Sequence, residues 1–246
     1  MPKSHFLKGI SVGGGFSATL RESTSGVHTR AEKTAFIRGF LRGTASREAY
    51  TRLLAALYPV YSAMEREMSR LELTNPQVAR FQFQALHRTA ALERDLVFLA
   101  GKDWRLTVPE MEEGEAYAER VHQVAYTEPV RLVGHLYTRY MGDMAGGQIL
   151  ARIAERSLGL QTGAGLDFYD FSGVEDLAVM KELFRNRLDE LGSNSPASCN
   201  AVIEEAVAAF QYNIAIFEQL KGNALLSFFR NLPLPWVRAA RLKAAH

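Results

Sequence analysis

Three glycines fall within six residues, at Gly142, Gly146 and Gly147, inside the stretch Tyr137-Thr-Arg-Tyr-Met-Gly142-Asp143-Met-Ala-Gly146-Gly147-Gln148. Its surroundings are helical in pattern, and three glycines there cost roughly 2–3 kcal/mol against alanine. Glycine in such a place can bend the helix, or it can bring bare backbone close to something flat. Close helix–helix packing is the plainer alternative. A phosphate loop fits poorly, because no strand precedes the glycines and no Lys-Ser/Thr follows them. Asp143 is the one carboxylate of the segment, and taken alone it reads as a surface acid.

Of the six histidines, at 5, 28, 87, 122, 135 and 246, two lie near the ends of the chain. His87, His122 and His135 fall on helices and default to structural roles. His28 has more informative company. Arg21 precedes it by seven residues, two helical turns or about 10.5 Å along one face. Glu32 follows by four and can orient the second ring nitrogen, directly or through water. Lys181 and Arg185, also four apart, share a helix face and could hold two carboxylates. Beside Glu182 and Asp189 their plain reading is a solvated basic stripe.

The elements that must position these residues are helices. Apolar spacing of three and four dominates, and strict alternation over a strand length is almost absent. A first helix is expected from Ser17 or Leu20 to about Leu41, stopped at Gly43. Ser46 is a good N-cap for the next, with Glu48 in its first turn. That helix buries Tyr50, Leu53, Leu54, Leu57, Tyr61, Met64 and Met68, and Pro59 should kink or interrupt it. Pro76 opens a third region, whose helical face is carried by Ala90, Leu92 and Leu96 through Leu99. Pro109 is placed to start a helix at its first position, followed by Glu110, Glu112 and Glu113. Pro129 opens a long one towards Leu158, broken by the glycines. Glycines 159, 163 and 165 mark a loop, and two more helices follow near 174–191 and 198–221. The expectation is an all-α, single-domain architecture of six to eight helices around one core. Residues 1–16, with Gly13-Gly14-Gly15, read as a flexible leader, 17–221 as the domain, and 222–246 as a tail.

Composition narrows the function. In 246 residues, 29 basic and 27 acidic side chains nearly cancel, so nothing favours nucleic acid. Cys199 is the single cysteine, which excludes an intramolecular disulfide and fits a reducing compartment. No window approaches the roughly 20 apolar residues that span a bilayer. Arg230, Pro233, Pro235, Arg238 and Arg241 break up the apolar tail, which reads as packed or surface-lying. A cytoplasmic protein, not an integral membrane one, is expected.

The segment YTRYMGDMAGGQ is similar to the distal-helix signature of heme oxygenases. VHTRAEKTAFIRGF around His28 resembles that family's proximal helix, and LHRTAALERDL around His87 resembles its third-region motif. KELFRNRLDEL at 181–191 and VIEEAVAAFQYNIAIFEQL at 202–220 resemble its last two core helices. Together the motifs span about residues 17–221 in the family's order.

The resemblance implies heme b as both cofactor and substrate, sandwiched between a proximal and a distal helix. It implies His28 as the axial ligand of the heme iron. Arg21, Lys181 and Arg185, with a hydroxyl from Tyr137, would hold the propionates, and Phe210 and Asn213 would line or brace the pocket. Gly142 and Gly146 would let backbone crowd the bound dioxygen. Asp143 would organise distal water and relay protons, supported from behind by Arg139 and Tyr140. The implied reaction opens the ring at the α-meso carbon to biliverdin, carbon monoxide and ferrous iron. Electrons must come from a transient donor, a ferredoxin or an NADPH-dependent reductase, because the chain has no nucleotide fingerprint and no cluster cysteines. A heme-binding sensor or carrier without turnover is the alternative.

Overall fold

Eleven α-helices carry the chain in the computed structural model, which describes residues 14–231 and only the backbone of 221–231. Residues 1–13 of the expected leader and 232–246 of the expected tail lie outside the described residues. In order the helices are α1 (Phe16–Glu32), α2 (Ala35–Leu41), α3 (Arg47–Leu71), α4 (Pro76–Ala79), α5 (Thr89–Ala100), α6 (Trp104–Thr107), α7 (Glu112–Thr127), α8 (Leu132–Leu136), α9 (Gln148–Leu158), α10 (Leu177–Asn194) and α11 (Pro196–Asn231). The only pairing of strand type among the described residues is a pair of isolated bridges at Gln161.

The expected first helix is in fact two. Thr34 adopts an extended conformation between α1 and α2, and its hydroxyl donates to Ala31 O at 2.8 Å. A side-chain bond of that kind competes with the helical ladder. The turn lets α2 aim Phe36 and Phe40 into the core, where Phe36 stacks on Phe217 at 5.9 Å. Ser46 caps α3 as expected, accepting from Ala49 N at 3.1 Å. Pro59 does not interrupt α3, which continues unbroken through it. A proline in a helix interior costs about 3 kcal/mol. Eight large side chains buried on both sides of it each contribute about 1.5–3 kcal/mol, which outweighs that cost. Pro109 does not begin a helix either. Met111 is buried and turns the chain inwards, and α7 starts at Glu112 with three glutamates in its first turn.

α11 is the organiser of the bundle, packing against α1, α2, α3, α7, α8 and α10. Its approach to α8 is close because Gly134 has no side chain. A Cβ there would stand 2.7 Å from Ala206 N and 2.8 Å from Val202 O. Beside that contact His135 is fully buried, with Nε2 3.0 Å from Oε1 of buried Glu205. Arg120 grips the same carboxylate through Nε (2.8 Å) and Nη2 (2.7 Å). Burial alone would raise the Glu205 pKa, but His135 and Arg120 overcome it and hold it at about 2. A carboxylate depressed from about 4.5 stabilises the fold fully above that pH, and the contribution is lost as pH falls towards about 2. Glu205→Gln should therefore lose about 3–5 kcal/mol at neutral pH, since a buried pair is broken. It should also flatten the acid limb of stability, measured by urea melts between pH 3 and 7.

Candidate functional site

From α8 the chain enters two consecutive π turns, Tyr137–Met141 and Asp143–Gly147, before α9 resumes. The helix expected to be broken by glycine is thus widened rather than cut. π-Turns of this kind recur at functional sites. The three glycines divide into two kinds. Gly147 faces inwards, where a Cβ would meet the Tyr169 ring at 3.2 Å, so packing explains it. Gly142 and Gly146 are exposed, and a Cβ on either would meet nothing within 4 Å. Packing does not explain those two. They leave a strip of bare backbone beside Asp143.

Asp143 is buried, not a surface acid. The Tyr61 hydroxyl donates to its Oδ2, and Arg139 Nη2 reaches its Oδ1 at 3.2 Å. Arg139 also donates from Nε to the Tyr61 hydroxyl at 2.9 Å and from Nη1 to Asn213 Oδ1 at 2.7 Å. Asn213 is fixed in turn by donating to Ala209 O at 2.9 Å. Burial raises the Asp143 pKa above the ordinary carboxylate value, against the pull of Arg139 and Tyr61. Burial also opposes the charge on Arg139, but Tyr61 and Asp143 more than offset it and keep it cationic. The result is a carboxyl whose proton affinity is enhanced and whose two oxygens are each held by one donor.

Tyr140 meets this network through its ring, which packs on that of Tyr61 at 6.1 Å. Its hydroxyl is buried without a hydrogen-bond partner among the described residues, and burial, Glu65 and Asp143 all disfavour its ionisation. A buried hydroxyl in that state calls for a water or a ligand atom. Tyr61, whose hydroxyl reaches Asp143, is expected from sequence only as a core residue of α3. It lies 82 positions from Asp143, and no local pattern marks it.

On the other side, His28 sits half exposed on α1, with Nδ1 3.8 Å from Glu32. That is too long for a direct hydrogen bond and suits a bridging water. The Phe210 ring meets the imidazole edge-on at 5.5 Å. Val27, Ala31 and Ile214, with Val207, Phe210 and Phe217, form an apolar cluster next to it. Phe210 and Asn213 are three apart on α11, so one helix touches His28 with the first and Arg139 with the second. Arg21 is exposed on α1, Tyr137 is half-buried, and α10 offers Lys181 half-buried and Arg185 exposed. α10 packs directly on α1.

The sequence profile described as heme oxygenase matches residues 14–219. The chain belongs to the heme oxygenase family. Heme oxygenase 1 of Nostoc sp. is 40% identical over 206 residues, covering 84% of this chain and 86% of that one. Human heme oxygenase 1 is 42% identical over 207 residues, covering 83% of this chain and 71% of that protein. Among solved structures, heme oxygenase-1 from the cyanobacterium Synechocystis in complex with heme superposes with a TM-score of 0.81 at 38% identity. That match covers 87% of this chain and 96% of the other. The all-α fold of a heme oxygenase is therefore established for residues that include every site position named above.

Proposed function

We propose that the chain is an enzyme that binds heme and cleaves it oxidatively at the α-meso carbon, giving biliverdin, carbon monoxide and ferrous iron. The observation that carries this reading is the pair of glycines, 142 and 146, open to space beside a buried Asp143 held by Tyr61 and Arg139. The residues fit a heme. The bare strip accepts a flat face, His28 supplies an imidazole, and the cluster around Phe210 supplies apolar contact. Bound heme supplies the iron that takes dioxygen and the carbon that is cut. His28 holds it from the α1 side, with Glu32 orienting the imidazole through water. Arg21, Lys181, Arg185 and Tyr137 hold the propionates and fix the ring's rotation in its plane. Asp143 keeps distal water ordered and delivers protons, while Arg139, Tyr61 and Asn213 fix its carboxyl. Tyr140 adds an unengaged hydroxyl nearby. The domain we assign to this activity is 17–221, between a leader and a tail.

Electrons come from outside. A ferredoxin or an NADPH-dependent reductase docks transiently, and Arg21, Lys181 and Arg185 favour an acidic partner. No helix among the described residues is long and apolar enough to cross a membrane. With a single cysteine, we place the protein in the cytoplasm.

Adding hemin, then reductant and air, tests the reading. Enzyme activity converts the heme spectrum to that of biliverdin. A sensor or carrier would return to its ferric spectrum with the ring intact. The glycines have their own signature. Gly146→Ala should leave the heme-free fold unchanged or steadier by up to about 1 kcal/mol. Hemin affinity should fall at least tenfold in the same variant. Equal affinity for hemin, with a raised melting temperature, would remove the strip from the site.

A further inference from the structure

α1 begins without a cap of its own. Gly15 occupies the capping position and has no side chain, so the amide of Ser17 needs a partner from elsewhere. Asp189 of α10 provides it, accepting from Ser17 N through Oδ1 at 2.7 Å. The approach is tight: a Cβ on Gly15 would lie 2.3 Å from Asp189 Oδ1, and one on Gly192 would lie 2.4 Å from Phe16 Cβ. Two glycines thus let α1 and α10 close on one another where the carboxylate crosses.

The helix registers give this contact a longer reach. At 100° per residue, Ser17, Arg21 and His28 fall within about 40° of one another around α1. On α10, Lys181, Arg185 and Asp189 follow one another at intervals of four. The capping bond therefore sits at the end of two neighbouring stripes. One leads to the imidazole, and the other carries two cations.

We infer that Asp189 is a positioning residue, fixing α1 against α10 and thereby setting which meso carbon is cut. This rests on the heme reading given above. With His28 and Arg21 on one helix and Lys181 and Arg185 on the other, any rotation or slide between them turns the ring relative to Asp143. The carboxylate of Asp189 is the direct side-chain tie from α10 to the backbone of α1 at that end.

The test reads product regiochemistry, which a merely local cap does not control. Hemin complexes of the full chain are turned over with reductant and air, and the biliverdin isomers are separated by chromatography. Wild type and Asp189→Asn, which keeps an acceptor oxygen, are expected to give a single isomer. Asp189→Ala is expected to give at least one product molecule in ten as another isomer. Gly15→Ala leaves Asp189 in the sequence but pushes its carboxylate off the Ser17 amide, and it should do the same. Each variant is scored once its hemin spectrum matches the wild-type axial ligation. If Asp189→Ala fails that check, Gly15→Ala decides alone. Wild-type isomer purity in the variants scored would overturn the inference. Failure of the heme reading looks different, because wild type itself would then yield no bilin, and this inference would fall with it.

Discussion

Asp143→Asn should bind hemin as wild type does and open its ring about 10²–10⁴-fold more slowly, the span associated with losing one proton-transfer group. The substitution keeps the size of the side chain; its one oxygen still accepts from Arg139, and its amide N–H can donate to the Tyr61 oxygen once that hydroxyl turns away. What it removes is the exchangeable proton of a carboxyl whose affinity for it is raised by burial. Single-turnover spectra at fixed reductant distinguish the two effects: Soret amplitude reports uptake, and the rise of bilin absorbance reports chemistry. Asp143→Asn turning over within threefold of wild type would move proton delivery to another group, and Tyr140, whose hydroxyl has no partner among the described residues, is the first to test.

The second large effect belongs to His28. Removing the imidazole should abolish the wild-type axial spectrum and reduce turnover by at least 100-fold, while the chain still folds. Folding survives because His28 is half exposed and its neighbours Val27, Ala31 and Ile214 keep the α1–α11 contact without it. Added imidazole should enter the space left by His28→Ala and restore the spectrum, since Glu32 and Phe210 remain in place. A variant that retained the native ligation without added imidazole would displace His28 from the iron.

Local chemistry made much of this readable before any fold was known. The glycine run, the Arg21–His28–Glu32 spacing, the Ser46 cap and the loop at Gly159 are all short-range signals, and Gly159 does close α9 in the left-handed region at φ +65. Where sequence reading fell short, the deciding contact was remote, the winning force was burial, or a local side-chain bond left no pattern. Pro59 looked like a break because its ring cost is local, whereas the core that overrides it is not. Thr34 looked like helix, because a hydroxyl reaching back to Ala31 leaves no periodicity to read. Tyr61 looked like filler, and Asp189 like one charge of a surface stripe. Each is defined by a partner far away in the chain.

The π-turn span is pinned at both ends, and between them by buried Arg139 and Asp143. At one end stand the Gly134 contact and the buried His135–Glu205 contact. At the other, Gln148 donates to Tyr169 O at 2.9 Å, and the loop carrying Tyr169 is itself tied to α5 by Asp95, which accepts from the amides of Asp167 and Phe168. A span tied at its ends and in its middle keeps the carboxyl of Asp143 at one distance from the exposed backbone of Gly142 and Gly146. Whatever shifts that strip must first part the salt link inside it, so local opening there is coupled to the ion pair of Arg139 and Asp143.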